Sequence, residues 1–338
     1  MTMMNTDTQT RYIAIAPLMA QLRARHVVTE RDREVQAQLC RLLHVDETGQ
    51  ITAEPVRFTA GLESRGIILI EPAGGGKTTA IRNVLQEFPA LGKHPDTGAP
   101  RVLQVQVESP ATQRSILRAL LREMGLTRVS SRTSAWELLD LVKNRIAATG
   151  ATAIWFDEAQ DLFLSRSTRE IDDMLKMIKG LMKGPNSVVV ILSGTERLIE
   201  IAGYDPQVNR RFTKIIPGDL QIGADNDSLT EVICDYCAAA GLTFDGSGSV
   251  VSRLIYGSRQ RFGRAVETTI NAIERALFEG DTILGRQHFA EAWGMQEMCA
   301  WDRNVFVSPD WHKFELDAQA AEFDASRTAR QRRALRQG

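Results

Sequence analysis

Short, mostly apolar runs alternate with amphipathic segments between residues 66 and 220. In the segments between the runs, apolar residues recur every three or four positions, which is the period of a helix with one buried face. Continuous apolar runs of about five residues are typical of parallel strands that helices cover on both faces. The pattern therefore predicts an α/β domain, with strands at 66–70, 102–107, 151–156, 188–192 and 213–220 and helices at 77–88, 111–124, 134–148 and 168–182.

The pattern changes on either side of this region. After about residue 225 no further strand is predicted, and helical spacing predicts a second, all-helical unit. Its helices are expected at 228–240, 250–256, 263–278 and 286–299. Near the N-terminus, a short apolar stretch that contains Pro17 precedes a helix, and Thr29 and Asp32 have the spacing of a capping box at its start. The polar, turn-rich stretch 44–58 is expected to connect this helix to the α/β domain.

Composition excludes several classes of protein. The chain has 338 residues, a net charge of −1 and four cysteines, too few for a disulfide framework at this length. No apolar run reaches the roughly 18 residues that span a bilayer, and the first residues lack a secretion signal. We therefore expect a soluble, cytoplasmic protein with no membrane partner. The near-neutral total does not exclude nucleic acid, because an assembly needs only local basic charge. Arginines near the end of the chain are Arg327, Arg330, Arg332, Arg333 and Arg336.

A glycine-rich loop joins the first predicted strand to a helix. It reads EPAGGGKTT from Glu71 to Thr79, and it departs from the phosphate-loop pattern G-x-x-x-x-G-K-[ST] only at the first position. Glycines allow backbone N–H groups to surround phosphate oxygens at the positive end of the new helix. Lys77 is expected to reach the β- and γ-phosphates of ATP, and the Thr78 hydroxyl to bind Mg²⁺. The candidate nucleotide-binding residues are Gly74, Gly75, Gly76, Lys77, Thr78 and Thr79. A carboxylate at position 71 lowers nucleotide affinity unless it points away from the phosphates.

Two carboxylates follow the third predicted strand. Asp157 and Glu158 come directly after the apolar run ATAIWF. In P-loop ATPases, a carboxylate at this place holds Mg²⁺ through water, and the next residue orients or deprotonates the attacking water. One strand-and-helix unit separates the loop from this pair, so the strand that bears the pair need not adjoin the phosphate-loop strand. Gln160 and Asp161 are interpreted as local turn or cap residues.

Further candidates for contact with the γ-phosphate are a polar strand tip and three arginines. Ser193 or Thr195 ends the fourth strand, although a helix N-cap explains Thr195 equally well. Arg210 and Arg211 precede the last strand, and an arginine there is able to complete the site of a neighbouring subunit. Arg264 begins a helix of the second unit, where a lid would cover the nucleotide. For each arginine, the alternative is an ordinary surface charge.

Basic residues that are able to follow a DNA backbone lie on two predicted helices. Three lysines share one face of the 168–182 helix and its exit, because they are three and four residues apart. A solvated helix face that includes neighbouring aspartates explains them as well. The DNA-binding candidates are Lys176, Lys179, Lys183, Arg114 and Arg118.

The order of these features resembles that in AAA+ ATPases: phosphate loop, acidic pair, polar strand tip, arginine pair and lid arginine. Within that class the chain resembles the TniB/TnsC family of transposition regulators and, more distantly, the MuB ATPase. The resemblance is densest in VVVILSGTERLIEIAGYDPQVNRRFTKIIPGDL, residues 188–220, and extends more loosely from about 66 to 311. VESPATQRSILRALLREMGL and NVFVSPDW are also similar to segments of that family. Glu71 is the main departure.

The resemblance implies an α/β P-loop AAA+ core, with a parallel sheet in the strand order 5-1-4-3-2, flanked by helices and followed by a small all-helical lid. It implies an ATPase that uses Mg²⁺ and forms homo-oligomeric rings or helical filaments on double-stranded DNA. Such proteins link a TniQ-like target selector to a DDE transposase, which stimulates ATP hydrolysis and disassembly. The implied regions are an N-terminal helical extension and linker (1–58), the nucleotide-binding domain (59–222), the lid (223–300) and a C-terminal extension with an arginine-rich tail (301–338).

The resemblance also implies a role for each matching residue. Lys77 and Thr78 bind phosphate and Mg²⁺, and Asp157 holds Mg²⁺ through water. Glu158 prepares the attacking water, and Thr195 is the candidate strand-tip sensor. The remaining roles belong to arginines: Arg211 is the finger that acts in trans, with Arg210 in reserve, and Arg264 is the lid sensor.

Two other functions fit the same residues. Another AAA+ switch, such as a replication initiator or a signalling ATPase, carries these motifs without using DNA as the track of a filament. A nucleotide-binding scaffold with weak hydrolysis would explain why Glu71 replaces a glycine. Stimulation of ATP turnover by DNA separates the first alternative from a transposition regulator, and turnover that depends on Glu158 excludes the scaffold.

Overall fold

A computed structural model describes residues 6–107, 111–164 and 168–317, so the arginine-rich end lies outside the described residues. The helices are α1 (Thr6–Ala24), α2 (Glu30–Leu42), α3 (Lys77–Glu87), α4 (Gln113–Glu123), α5 (Ala135–Thr149), α6 (Thr168–Leu181), α7 (Arg197–Tyr204), α8 (Pro206–Asn209), α9 (Asn226–Ala240), α10 (Val250–Gly257), α11 (Phe262–Glu279) and α12 (Arg286–Glu297). The strands are β1 (Leu43–Val45), β2 (Ile51–Pro55), β3 (Gly66–Ile70), β4 (Val102–Gln106), β5 (Ala153–Asp157), β6 (Val189–Gly194), β7 (Phe212–Ile215), β8 (Thr243–Phe244) and β9 (Ile283–Leu284). Short 3-10 helices lie at Pro89–Leu91, Ala159–Phe163, Trp301–Arg303 and Trp311–Lys313. None of the described helices is both long enough and apolar enough to cross a membrane.

The described residues form two compact units. The α/β unit contains residues 28–73 and 77–217, and the helical unit contains residues 6–27, 74–76 and 218–317. The first 58 residues are therefore divided between the two units. The four regions that the resemblance implies stay a prediction.

Five parallel strands form the centre of the α/β unit, in the order β4-β5-β6-β3-β7. If these strands are numbered one to five along the chain, the order is 5-1-4-3-2, so the predicted fold class is confirmed. β3 pairs with β6 on one side and β7 on the other, and β5 lies between β4 and β6. Because the strands are parallel, their carboxyl ends lie at one edge of the sheet, where α/β proteins bind ligands.

The inner strands β3, β5 and β6 are buried at every position, which explains their continuous apolar runs, whereas the edge strands β4 and β7 are partly exposed. Alternate side chains of β3 belong to two separate cores: Ile68 and Ile70 pack on one face, and Ile67 and Leu69 on the other. Helices α4, α5 and α6 cover the first face, and α2 and α3 cover the second. The helical and strand periods in the sequence therefore match the two layers that the chain builds around the sheet.

The N-terminal part of the α/β unit contains more secondary structure than the sequence predicted. The predicted capping box is present at α2, where the backbone N–H of Thr29 donates to Oδ2 of Asp32 at 2.9 Å. The stretch that was expected only to connect this helix to the sheet contains a hairpin, because β1 and β2 pair in an antiparallel manner. β1 has only three residues, and β2 is nowhere fully buried and mixes polar with apolar residues, so neither forms a continuous apolar run.

Helix α1 is a correction to the sequence prediction, which recognised only a short apolar stretch there. The helix runs through Pro17. A proline inside a helix removes one backbone hydrogen bond and usually ends the helix, so the local pattern argued against one. Tertiary packing outweighs this cost, because Met19 and Leu22 are buried in the same core as α9, α10, α11 and α12.

The region after residue 225 is not purely helical, contrary to the prediction. The predicted helices correspond to α9, α10, α11 and α12, but β8 and β9 pair in parallel between them. Strands of two residues have no recognisable period in a sequence, and only the fold brings them together.

The segment after α12 packs onto the helical unit. Nη1 of Arg253 donates to the carbonyl oxygen of Val305 at 2.6 Å, and the hydroxyl of Tyr256 donates to that of Phe314 at 2.6 Å. Phe306 is fully buried in the core of the helical unit. The described part of the C-terminal extension is therefore an integral part of that unit.

Candidate nucleotide-binding site

The glycine-rich loop lies between β3 and α3, which is the context that a phosphate loop requires. Gly74 has a φ of +83° and Gly76 a φ of +109°. Side chains other than glycine rarely adopt this conformation, so the turn itself requires both glycines. Helix α3 begins at Lys77. Its first N–H groups have no partners within the helix and are therefore available to an anion beside the loop.

Glu71, the residue that departs from the phosphate-loop pattern, is buried and paired. Nη1 of Arg31 lies 2.9 Å and 2.8 Å from its two carboxylate oxygens. The exposed fraction is 6% for Arg31 and 8% for Glu71. Because Arg31 lies on α2, the N-terminal part of the unit supplies the charge that balances this carboxylate. The pairing removes the objection that a negative charge at position 71 raises against phosphate binding.

Asp157 is held by three hydrogen bonds at the end of β5. The hydroxyl of Thr78 donates to its Oδ2 at 2.8 Å, the hydroxyl of Ser193 donates to its Oδ1 at 2.6 Å, and the backbone N–H of Glu158 donates to its Oδ1 at 3.1 Å. Carboxylate and hydroxyl oxygens are the hard ligands that Mg²⁺ prefers, and this ion also keeps several waters. The donor set of Thr78 and Asp157 therefore fits the ion that the sequence predicts.

Ser193 orients Asp157 and does not present its hydroxyl to a nucleotide. It is fully buried, and its oxygen also accepts the indole N–H of Trp155 at 2.8 Å. Of the two strand-tip candidates, Thr195 is the one whose hydroxyl is not used in this way. Helix α7 begins at Arg197, but the backbone of Glu196 before it is already helical, so the sensor and the N-cap interpretations of Thr195 both stay open.

Replacing Ser193 with alanine is expected to lower stability and to raise the Mg²⁺ requirement. The change leaves the buried indole N–H of Trp155 without its acceptor, which costs about 1–3 kcal/mol. It also removes a donor that orients Asp157, and such outer contacts contribute to metal affinity. Thermal unfolding followed by circular dichroism and a Mg²⁺ titration of ATP turnover measure the two effects. Ser131→Ala, at an exposed position, is the control. An unchanged unfolding midpoint would contradict the role given to Ser193.

The predicted phosphate-binding lysine and the predicted general base are in contact. Nζ of Lys77 lies 3.2 Å from Oε1 of Glu158. Lys77 is buried, whereas the Glu158 side chain is 37% exposed. The backbone of Glu158 has a φ of +52°, in the left-handed region. Such strain costs about 1–3 kcal/mol for a residue other than glycine and is concentrated at functional sites.

Gln160 also belongs to this site, although the sequence interpreted it as a local turn residue. Its Nε2 donates to Oε2 of Glu158 at 2.6 Å, and its Oε1 accepts the backbone N–H of Thr195 at 3.2 Å. Only 8% of the residue is exposed. Gln160 comes only two residues after Glu158, and this proximity was the one sequence feature that pointed to a contact. The sequence does not show that the amide group turns back towards the carboxylate.

The two finger candidates differ in exposure. Arg211 is 5% exposed and forms an ion pair with Glu63. Arg210 also pairs with Glu63, at 2.9 Å, but its side chain is 51% exposed. A buried arginine reaches a neighbouring subunit only after its ion pair is broken, and breaking a buried pair is costly. Arg210 is therefore the first candidate for the finger, and Arg211 the reserve.

Arg264 lies beside the phosphate loop within the helical unit, to which the three loop glycines also belong. A Cβ atom on Gly74 would lie 2.7 Å from Cγ of Arg264, and the backbone N–H of Gly263 donates to the carbonyl oxygen of Gly75 at 3.0 Å. Nη2 of Arg264 is 2.8 Å from a carboxylate oxygen of Glu297. The start of α11 thus contacts the glycines of the loop, and the lid sensor role of Arg264 stays a prediction.

The DNA-binding candidates differ in accessibility. Lys179 donates to the carboxylate of Asp205 at 2.6 Å, and Arg118 donates to the carbonyl oxygen of Val129 at 3.0 Å. These two side chains are therefore engaged within the α/β unit. The candidates at exposed positions are Lys176, Lys183 and Arg114.

Residues 62–201 match the family model of an AAA domain. This segment contains the phosphate loop, the acidic pair and the polar strand tip, but not the arginines that follow it. No match was found among curated proteins.

Several solved structures have a similar fold. The ORC1 protein of Aeropyrum pernix, solved in complex with DNA, has 17% identity and a TM-score of 0.59 over 87% of this chain and 70% of its own. The Aeropyrum pernix ORC2 protein, in ADPNP–ADP complexes, has 15% identity and a TM-score of 0.55 over 79% of this chain and 68% of its own. Drosophila ORC bound to DNA has 15% identity and a TM-score of 0.51 over 88% of this chain and 67% of its own. At this level of identity, the similarity establishes that the chain has the AAA+ fold with a C-terminal helical region.

Proposed function

We propose that this protein binds and hydrolyses Mg²⁺–ATP and uses the bound nucleotide as a switch. The observation that carries the proposal is the cluster formed by Lys77, Thr78, Asp157 and Glu158 beside the phosphate loop. A hydrogen bond of 2.8 Å joins the two candidate Mg²⁺ residues, and an ion pair of 3.2 Å joins the candidate phosphate ligand to the candidate base. Residues from two separated parts of the chain thus meet in the arrangement that phosphoryl transfer needs.

In the proposed reaction, the backbone N–H groups of the loop and Lys77 bind the β- and γ-phosphates. Thr78 and, through water, Asp157 would hold Mg²⁺, and the ion would neutralise charge on the phosphate oxygens. Glu158 accepts a proton from the water that attacks the γ-phosphorus, and the bond to the β-phosphate oxygen breaks to leave ADP and phosphate. Lys77 leaves Glu158 when it binds phosphate, and this movement frees a carboxylate oxygen for the water.

An exposed arginine supports assembly with further copies of the chain. Arg210 is proposed to reach the γ-phosphate bound by a neighbouring copy, where its rigid fork stabilises the charge of the transition state. Hydrolysis then depends on a homo-oligomer, either a ring or a helical filament. Arg264 is proposed to sense the γ-phosphate that its own copy of the chain binds.

We propose that the oligomer assembles along double-stranded DNA. Lys176, Lys183 and Arg114 are exposed and would contact backbone phosphates, so binding should weaken with salt and depend little on base sequence. Two proteins of similar fold, Aeropyrum pernix ORC1 and Drosophila ORC, were solved with DNA, which supports DNA as a ligand here. A net charge of −1 is compatible with this, since only the face towards DNA must be basic.

The finer proposal is that the assembly regulates transposition. Its support is the resemblance to TniB/TnsC proteins, which is densest in residues 188–220. In this role the ATP-bound assembly receives a TniQ-like target selector and a DDE transposase, and the transposase stimulates hydrolysis and disassembly. ATPase assays with candidate partners encoded beside this gene test the proposal. Stimulation by such a transposase supports it, whereas stimulation that requires only a replication origin favours an initiator.

Changing Lys77 to alanine is expected to weaken nucleotide binding strongly and, at ATP concentrations that saturate the wild type, to prevent ATP-dependent assembly on DNA. The buried ammonium group is the candidate direct contact to phosphate, and hydrogen bonds to charged groups contribute about 1.5–3 kcal/mol, or roughly 10- to 150-fold in affinity. A fluorescent ATP analogue measures binding, and electron microscopy with duplex DNA measures assembly. Lys93→Ala, at an exposed position, is the control.

Two outcomes of this experiment would count against the proposal. If the wild-type protein with ATP and duplex DNA stays monomeric, the proposed assembly is wrong. If Lys77→Ala assembles as well as the wild type, assembly does not depend on the nucleotide site.

A further inference from the structure

The amide group of Gln160 is bound at both ends inside the candidate site. Its Nε2 lies 2.6 Å from Oε2 of Glu158, and its Oε1 lies 3.2 Å from the backbone nitrogen of Thr195. The residue is 8% exposed, so water competes little for either hydrogen bond. A glutamine that is interpreted as a turn residue therefore connects the candidate base, after β5, to the tip of β6.

The chemistry of the two partners determines the orientation of this amide. A backbone N–H only donates, so the oxygen of the Gln160 side chain must face Thr195. The NH₂ group then faces Glu158, whose ionised carboxylate only accepts. Both hydrogen bonds are satisfied in a single orientation, and the carboxylate is left with a donor on Oε2.

Gly194 is a second, independent observation that supports this position of the Gln160 amide. A Cβ atom at residue 194 would lie 2.2 Å from Oε1 of Gln160 and 2.8 Å from Cδ1 of Leu198. Only glycine leaves room for the Gln160 side chain to reach the backbone of Thr195. The backbone of Gly194 is not in the left-handed region, so the glycine is needed for space and not for conformation.

The two oxygens of Glu158 have different partners. Oε2 accepts from Gln160, whereas Oε1 faces Lys77 at 3.2 Å. When Lys77 moves to the phosphates in the proposed reaction, Oε1 loses its partner and Oε2 keeps its own. The hydrogen bond from Gln160 prevents the carboxylate from following the lysine, and it leaves Oε1 as the oxygen that takes the proton of the attacking water.

We propose that Gln160 is the positioning residue for Glu158: it holds the carboxylate so that one defined oxygen acts as the base during ATP hydrolysis. The inference rests on the proposed function, and it assigns to Gln160 an effect on turnover and none on nucleotide affinity. Gln160 does not touch the phosphates or the water. It acts only through Glu158 and through the space that Gly194 leaves.

The first test is Gln160→Met, which preserves the length of the side chain and removes both hydrogen bonds. We expect kcat to fall about 100-fold, because misplacing a catalytic group by about 1 Å has an effect of that size. The Kd of a non-hydrolysable ATP analogue, measured by fluorescence, should stay within twofold of the wild type. Gln86→Met makes the same chemical change at an exposed position of α3 and should alter neither value.

The second test displaces the amide without removing it. Gly194→Ala should lower kcat by a similar factor with little change in analogue Kd. The double variant Gln160→Met/Gly194→Ala should be no slower than the slower single variant, because both changes remove the same hydrogen bond to Glu158. In a Glu158→Gln background, Gln160→Met should have no further effect on residual turnover. If Gln160→Met does not fold, Gly194→Ala decides the question, both alone and in the Glu158→Gln background, where it should have no further effect.

The results separate the inference from the proposed function. If the wild type does not hydrolyse ATP, the proposed function and the inference both fail. If the wild type turns over but Gln160→Met or Gly194→Ala keeps its kcat, only the inference fails. Equal losses in kcat and analogue affinity would also overturn it, because they indicate a general structural role for Gln160.

Discussion

Changing Glu158 to glutamine is expected to stop ATP hydrolysis while ATP binding and assembly on DNA persist. Glutamine has nearly the same shape but cannot accept the proton of the attacking water, and a general base contributes about 10²- to 10⁴-fold to turnover. Binding should persist because the phosphate contacts are assigned to the loop and to Lys77. The change also removes the ion pair of 3.2 Å between Glu158 and Lys77, so the lysine becomes freer to bind phosphate. We therefore expect ATP affinity that equals or exceeds that of the wild type.

Phosphate release measures the loss of turnover, and a fluorescent ATP analogue measures affinity. Glu87→Gln makes the same chemical change at an exposed position near the end of α3 and should leave both values unchanged. Turnover by Glu158→Gln within twofold of the wild type would show that another group takes the proton. A wild-type protein that binds ATP but never hydrolyses it would instead favour a nucleotide-binding scaffold.

Changing Arg31 to methionine is expected to have the largest effect on stability. Glu71 would remain buried without the arginine that pairs with it at 2.8 Å, and removing one partner of a buried ion pair costs about 3–5 kcal/mol. The remaining negative charge lies at the first position of the phosphate loop, so nucleotide affinity should fall as well. Urea unfolding measures the free energy of unfolding, and the fluorescent analogue measures affinity. Arg33→Met is the control, since this arginine lies on the same helix with 66% of its side chain exposed.

A second substitution at Glu71 should reverse much of this loss. In Arg31→Met/Glu71→Gln no buried charge is left without a partner, and replacing both members of a buried pair is often neutral. Glu71→Gly restores the glycine of the phosphate-loop pattern, and it too should improve the Arg31→Met protein. If the effects of Arg31→Met and Glu71→Gln are additive, the two side chains act independently and the proposed role of Arg31 is wrong.

Most of the fold could be predicted from local patterns. The inner strands of the sheet are buried on both faces and the helices that cover them on one, so their periods in the sequence are clear, and the predicted fold class is confirmed. Several of the elements that were missed have weak patterns. Helix α1 contains Pro17, the hairpin of β1 and β2 is short, and β8 and β9 have two residues each. Packing and pairing with distant segments stabilise these elements, and a local pattern does not contain that information.

The candidate site divides in the same way. The loop residues and the acidic pair could be predicted because each comes at the carboxyl end of a parallel strand. These strand ends lie at the same edge of the sheet. The pairing of Arg31 with Glu71 joins residues 40 positions apart on different elements. Likewise, Gln160 reaches the backbone of Thr195, which is 35 positions away. Arg211 is buried against Glu63, which is 148 positions away, and this contact is our reason to propose Arg210 before Arg211 as the finger.

The sequence by itself therefore determined the chemistry that this protein has available: a phosphate loop, two carboxylates after a buried strand, and arginines in the order of an AAA+ ATPase. Each of these features is a short run of consecutive residues at the end of a strand or the start of a helix, so the local sequence is enough to recognise it. Only the tertiary structure decided which charged and polar groups are already engaged. Arg31 neutralises Glu71, Glu63 holds Arg211, and Gln160 binds Glu158. These contacts form because the shared core brings distant helices and strands together, and a buried charge or amide must find a partner there.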